Sequence, residues 1–200
     1  MAERYTELND TLLRFIEKQH MFFVGTSAAG GRVSLSPKGM DTFRVTNPKE
    51  VVWLNLTGNR NETAAHVQEN GRMTIMLCSF EQQPLILRLY GRATVFHPRD
   101  REWHRLQSLF SEYAGARQIF RVSIEMVQTS CGGAVPLYGG DRDTLLTWAE
   151  DKGREGIEKY WNPPQSAQPR LEATLHLQKQ GKLGKHQDYR GLQKISQPPI

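Results

Sequence analysis

The stretch that most constrains this chain runs from Val51 to Gly71. Its first seven residues, Val51 to Thr57, are β-branched, aromatic and aliphatic with almost no polar break, which is the pattern of a well-buried strand. A helix follows at once. Asn59 with Glu62 three positions on has the form of a capping box, Ala64, Ala65 and Val67 suit a helix, and Gly71 suits the left-handed residue that ends one. A strand therefore delivers a helix N-terminus carrying Arg60. Free backbone N–H groups there hold partial positive charge and Arg60 adds a guanidinium fork, so the segment suits a phosphate. An arginine in a first turn is also an ordinary solvated residue, and the stretch by itself leaves both readings open.

The flanking chain reads as strands and turns with few helices. Thr6 can cap a helix to about Gln19, with Leu8, Leu12, Phe15 and Ile16 on one face. Met21–Thr26 and Arg32–Ser36 read as strands joined by a glycine-bearing turn from Ala28 to Gly31, and Ser36-Pro37-Lys38-Gly39 breaks the second strand and presents Lys38 at its end. Arg72–Phe80, Leu85–Phe96 and Gln118–Thr129 read as further strands. Gly91 inside the long one signals a bulge or a close backbone approach, and Arg88 and Arg92 share a face. Pro98 opens a short helix to about Phe110, and Thr144–Tyr160 forms a last one. The expected fold class is mainly β with peripheral helices, a small barrel of about six antiparallel strands.

Charge divides the chain. Residues 1–164 hold 20 Lys and Arg against 19 Asp and Glu, a net of +1, whereas 165–200 hold six against two, a net of +4. The body is close to neutral and the basicity belongs to the end, so a nucleic-acid surface on the body is not expected. After Trp161 the composition turns to Pro, Gln, Lys and Gly, which predicts a domain over 1–162 and a polar, basic, largely disordered tail over 163–200. No run of eighteen apolar residues occurs and Met1–Leu13 lacks an apolar centre, so a cytoplasmic protein with no membrane partner is expected. Cys78 and Cys131 are too few for a disulfide framework or a four-thiolate zinc site, and the six histidines show no metal spacing. The common phosphate-loop, dinucleotide and nucleophile-elbow signatures are missing. Cys131 has no base near it in sequence. Chemistry on such an inventory falls to a bound cofactor, and no catalytic side chain is assigned.

Five segments in order carry a resemblance. They are Ser36-Pro37-Lys38-Gly39, the run from Trp53 to His66, Gly71-Arg-Met-Thr-Ile-Met76, Leu87-Arg-Leu-Tyr-Gly-Arg-Ala93 and Thr129-Ser-Cys-Gly132. Together they resemble the pyridoxamine 5′-phosphate oxidase-like family over roughly residues 10–160. The resemblance implies a split barrel, usually a homodimer, with FMN bound across the subunit interface. It implies that Ser36 and Lys38 line the flavin site, that Asn55, Leu56 and Thr57 pass near the ribityl chain or ring, and that Arg60 and Asn61 match the pair that grips the FMN phosphate. Two departures stand out. Asn61 stands where a lysine commonly follows the arginine, which removes a positive charge, and 160–200 shows no arrangement like the tryptophan followed by arginine and histidine that closes the substrate pocket in vitamin B6 oxidases.

The expectation is a dimeric FMN-dependent oxidoreductase that transfers hydride at the flavin ring, acting on an unnamed small-molecule substrate, and not a B6 oxidase. The alternatives are a flavin-binding protein without turnover and a basic-tailed nucleic-acid-binding barrel. A deazaflavin or haem in place of FMN stays open. Strand aromatics such as Trp53, Phe80 and Tyr90 exceed what one barrel face needs, which also points to a second subunit.

Overall fold

In the computed structural model, residues 2–57, 61–113, 115–139, 147–148, 150–153 and 155–156 are described. Arg60, with Gly58 and Asn59, falls outside them, as do 163–200. Met1–Trp148 forms one compact unit. A second unit starts at Ala149, and its described residues, 150–153 and 155–156, are helical, within the range expected for the last helix.

Among the described residues, eight strands make one antiparallel sheet. They are β1 (Glu3–Tyr5), β2 (Met21–Thr26), β3 (Ser34–Gly39), β4 (Phe43–Asn47), β5 (Glu50–Leu56), β6 (Arg72–Cys78), β7 (Ile86–Phe96) and β8 (Ala116–Ser130), with α1 (Asp10–Glu17), α2 (Glu62–Asn70) and α3 (Trp103–Gln107) between them. The hydrogen-bonded order is β3-β2-β6-β7-β8-β5-β4, and β1 pairs with β8 off this path. The sheet curls into a half-barrel, so its two ends meet through side chains although no ladder joins them. Phe22 of β2 lies 4.9 Å from Phe43 of β4 and 6.0 Å from Trp53 of β5, ring centre to ring centre, and the Lys38 ammonium sits 5.7 Å over the Trp53 ring.

The expected fold class holds, and the differences are local. β1 and β4 are two strands beyond the expected six; each is short and takes its stability from a longer neighbour, β8 or β5. Pro37 does not break its strand: β3 continues to Gly39, with Pro37 opposite Phe23. β3 is an edge, where a residue without an N–H is tolerated. The first helix is capped by Asn9 instead of Thr6, its side chain accepting from the Leu12 N–H at 3.0 Å. α3 is one turn, shorter than expected, because 98–102 are spent in turns.

The uninterrupted apolar run of β5 has a structural reason. Val51 and Trp53 face one core with Leu12, Phe22, Ile75, Leu89 and Phe120, while Val52 and Leu54 face a second with Trp103, Leu106, Phe110 and Ile119. Both faces are covered, so no alternation survives in the sequence. Trp53 is 0% exposed and stacks on Phe120 at 4.4 Å. It is committed to this chain's own core and cannot serve a second subunit.

Candidate functional site

The cavity of interest opens where the ends of the sheet meet. It holds about 470 Å³, within the range of small-molecule and cofactor pockets, roughly 300–1,000 Å³. β3 lends Ser34, Ser36 and Lys38, spaced two apart on one face; β5 lends Asn55 and Leu56; and the start of α2 lends Asn61, Glu62 and Thr63. Five of the seven residues named from the sequence, Ser36, Lys38, Asn55, Leu56 and Asn61, are thereby brought together. Thr57 is not among the lining residues: its N–H and its hydroxyl both donate to the Gly115 carbonyl at 2.8 Å, which turns it toward β8. Arg60 lies outside the described residues.

Two features make the cavity receptive to an anion. Lys38 is half-buried with no carboxylate at ion-pair distance among the described residues, and burial pushes its ammonium below the usual lysine range. Poor solvation without a counter-charge favours an incoming anion. The second feature is α2. Its N-cap is Asn61, with Glu62 the first helical residue, so the helix starts later than the expected Asn59 box. The Asn61 side chain makes no capping bond, and the N-terminal end of this nine-residue helix, with its partial positive charge, borders the cavity through Asn61, Glu62 and Thr63. Gly71 closes the helix as expected, in the left-handed region at φ 69°.

A rival cavity of about 590 Å³ lies between α1 and β4. Its cation is spent. Arg44 holds both Asp41 carboxylate oxygens at 2.6 Å, donates to the Leu109 carbonyl and lies over Phe110, and those hydrogen bonds keep the Asp41 carboxyl below its ordinary range. Arg88 and Arg92 share an outward face, and their guanidinium groups serve Ser130, Glu125 and the Asn70 carbonyl. Cys78 is buried, which raises its thiol pKa, and exposed Cys131 accepts the Gly133 N–H.

Sequence reasoning missed the polar row beside the cavity. Asn55 donates to Gln118 Oε1 at 3.1 Å, and Gln118 Nε2 meets His97 Nε2 at 3.3 Å. Asn55 was named from the sequence, but no motif marks Gln118 or His97, because they become its neighbours only through the β5–β8–β7 register. Ser34 was legible in principle, two positions before Ser36.

Comparison with known proteins fits this geometry. The sequence model described as pyridoxamine 5′-phosphate oxidase matches residues 8–131, spanning β2 to β8 and every described wall of the cavity. The chain belongs to the pyridoxamine 5′-phosphate oxidase family. Within it, the chain is 37% identical over 139 residues to the pyridoxamine 5′-phosphate oxidase family protein ustO of Aspergillus flavus, a match covering 66% of this chain and 55% of that one. The chain thus aligns with about half the length of this curated relative. Among solved structures, HupZ of Group A Streptococcus superposes with a TM-score of 0.52 at 16% identity, covering 61% of this chain and 98% of that one. A protein of Lactobacillus delbrueckii assigned to the pyridoxamine 5′-phosphate oxidases gives 0.51 at 15%, covering 62% and 94%. At such identities the family likeness of these two is one of fold. No helix among the described residues is long and apolar enough to cross a membrane.

Proposed function

We propose that this member of the pyridoxamine 5′-phosphate oxidase family binds FMN in the cavity between β3, β5 and α2 and acts as an FMN-dependent oxidoreductase on a small molecule. The observation that carries the reading is the convergence there of a poorly solvated Lys38 with no carboxylate partner among the described residues, the N-terminal end of α2, and the polar side chains of Ser36 and Asn55. The donor set fits the group: N–H groups and an ammonium for the phosphate, hydroxyl and carboxamide groups for the ribityl chain and ring edge. Bound flavin would supply hydride transfer. The chain's own residues hold the phosphate, orient the ring and limit water.

A homodimer belongs to the same proposal. Val33 and Leu35, at the cavity's rim, are 73% and 65% exposed, and a second subunit covering them would also close the cavity. The test is the absorbance spectrum after reconstitution with excess FMN, together with sedimentation. Flavin bands on a species of twice the 22.9 kDa chain mass are expected, with bleaching by a reductant. No flavin bands after reconstitution would sink the cofactor reading, and a flavin-loaded monomer would sink the dimer. Colour without bleaching or turnover would leave a flavin-binding protein that is not an oxidoreductase.

A further inference from the structure

The row of polar side chains beside the cavity has a direction. Asn55 on β5 lies opposite Gln118 on β8, and His97 follows directly after β7, whose last residue, Phe96, lies opposite Ile119. Continuing that register sets His97 beside Gln118, so three polar side chains stand abreast on three neighbouring backbones. Asn55 is 8% exposed and Gln118 1%. Asp100 fixes the far end: its Oδ2 accepts the His97 backbone N–H at 2.7 Å and lies 3.6 Å from Nδ1. Asn55 lines the candidate flavin cavity, while His97 and Asp100 line a separate cavity, to which α2 also lends Val67 and Gln68.

A carboxamide donates only from nitrogen and accepts only at oxygen, so the row permits two states. In the first, Asn55 Nδ2 donates to Gln118 Oε1, Gln118 Nε2 donates to His97 Nε2, and the imidazole proton sits on Nδ1 toward Asp100. Asn55 Oδ1 is then the atom left for the cavity. When His97 gains a proton on Nε2 it becomes a donor on both nitrogens. Gln118 must turn its oxygen to His97 and its nitrogen to Asn55, which must answer with Oδ1 and leave its NH₂ for the cavity. Each carboxamide turns about its terminal torsion, and the backbones stay where they are.

We infer that His97, acting through Gln118, sets which way the Asn55 carboxamide faces and so switches the candidate flavin cavity between an acceptor and a donor at Asn55. The acceptor state suits the ring N–H of an oxidised flavin; the donor state suits its carbonyl oxygens. Gain of the Nε2 proton by the imidazole is the event that turns the row, so the switch responds to pH. The groups facing His97 are few. Asp100 carries a carboxylate 3.6 Å from Nδ1, Arg99 lines the same cavity, and Gln68 of α2 and Thr94 of β7 are uncharged. Arg121, over Phe96, is shared with Glu50 and Glu102. Gln118 and His97 are positioning residues here. The ligand's identity rests on the flavin reading, but the coupling does not.

The experiment is nitrogen-15 NMR of the full chain without flavin, across the titration of His97. Expected at the alkaline end is the tautomer with Nδ1 protonated and Nε2 bare. Through the titration, the side-chain NH₂ signals of Gln118 and Asn55 should move with the His97 midpoint. In Gln118→Met, His97 should still titrate while Asn55 stays flat. A proton on Nε2 at the alkaline end, an Asn55 signal indifferent to His97 in the parent, or an Asn55 that still follows in Gln118→Met would each overturn the relay; the first two need no variant. FMN and riboflavin titrations over the same pH range form a separate arm. One exchanged hydrogen bond predicts about a two- to tenfold change in affinity in the parent and none in Gln118→Met. No flavin binding at any pH, with the NMR coupling intact, removes the flavin reading and keeps the relay; tight flavin binding with uncoupled signals does the reverse.

Discussion

Gly91→Ala tests the packing of the two longest strands. β8 carries one extra residue, Glu125, between the pairs Tyr90↔Met126 and Gly91↔Ile124, and the Ile124 N–H leaves the β7 ladder to donate to the Lys49 carbonyl at 2.8 Å. The bulge pushes the β8 backbone onto Gly91. A β-carbon there would stand 2.1 Å from the Ser123 carbonyl oxygen and 3.2 Å from Ile124 Cα. Contacts below 3.0 Å essentially never occur, so the strands must part by about 0.9 Å, which takes neighbouring ladder bonds out of range. Losing two such bonds costs about 1–3 kcal/mol net, and the backbone shift about 1–3 more, against about 0.4–1 regained from a stiffer unfolded chain. The expected loss is about 3 kcal/mol, a large share of a typical total of about 5–15. Urea unfolding followed by circular dichroism reads it, with the midpoint falling by about 1–2 M at an ordinary slope of ~2 kcal/mol per M. Gly30→Ala is the control, since a β-carbon at Gly30 meets nothing within 4 Å. If both variants stay within ~0.5 kcal/mol of the parent at unchanged slope, the account of the bulge is wrong.

Two further outcomes follow from the cavity. Burial lowers the Lys38 pKa from 10.5, so the folded state sheds this proton first; the unfolded chain binds more protons in the window just below 10.5, and stability rises with pH there. Lys38→Met should remove that rise, make the flavin-free protein more stable near neutrality and weaken anion binding; thermal unfolding across alkaline pH measures it, and an unchanged pH slope would refute it. Arg60→Ala should weaken FMN by about ten- to a hundredfold, the effect of roughly 1.5–3 kcal/mol in charge-assisted bonds, and leave riboflavin unaffected; calorimetric titration showing equal FMN affinity would return Arg60 to the solvent.

What the sequence showed and what it hid divide along the range of the interactions. β5 was legible because burial on both faces writes an unbroken apolar run, and Gly71 because a left-handed helix end nearly demands glycine. Gly91 was legible as a close approach, although the extra residue lies across the ladder on β8. β1 and β4 were hidden because three to five residues carry too little pattern, and their strand character comes from the partners they join. The Ser36-Pro37-Lys38-Gly39 segment misled for the same reason. Local chemistry reads proline as a break, but only the sheet order shows that β3 is an edge, where the missing N–H costs nothing.

The site itself is a product of the curl. β3 and β5 stand five places apart in the hydrogen-bonded order, so no strand pairing brings Lys38 to Asn55; the bend of the sheet around the Phe22, Trp53 and Phe120 cluster does, Phe22 meeting Trp53 edge-on and Phe120 stacking on it. Trp53 is the hinge of that arrangement. One face packs on Phe120, the Lys38 ammonium lies over the ring, and its indole N–H is buried with no hydrogen-bond partner among the described residues. A buried donor left unmade costs about 1–3 kcal/mol, and a half-buried ammonium without a counter-charge adds to it. The second of these costs falls at the cavity, which Lys38 lines. An anion held there would relieve the ammonium, so a bound ligand should stabilise the folded chain.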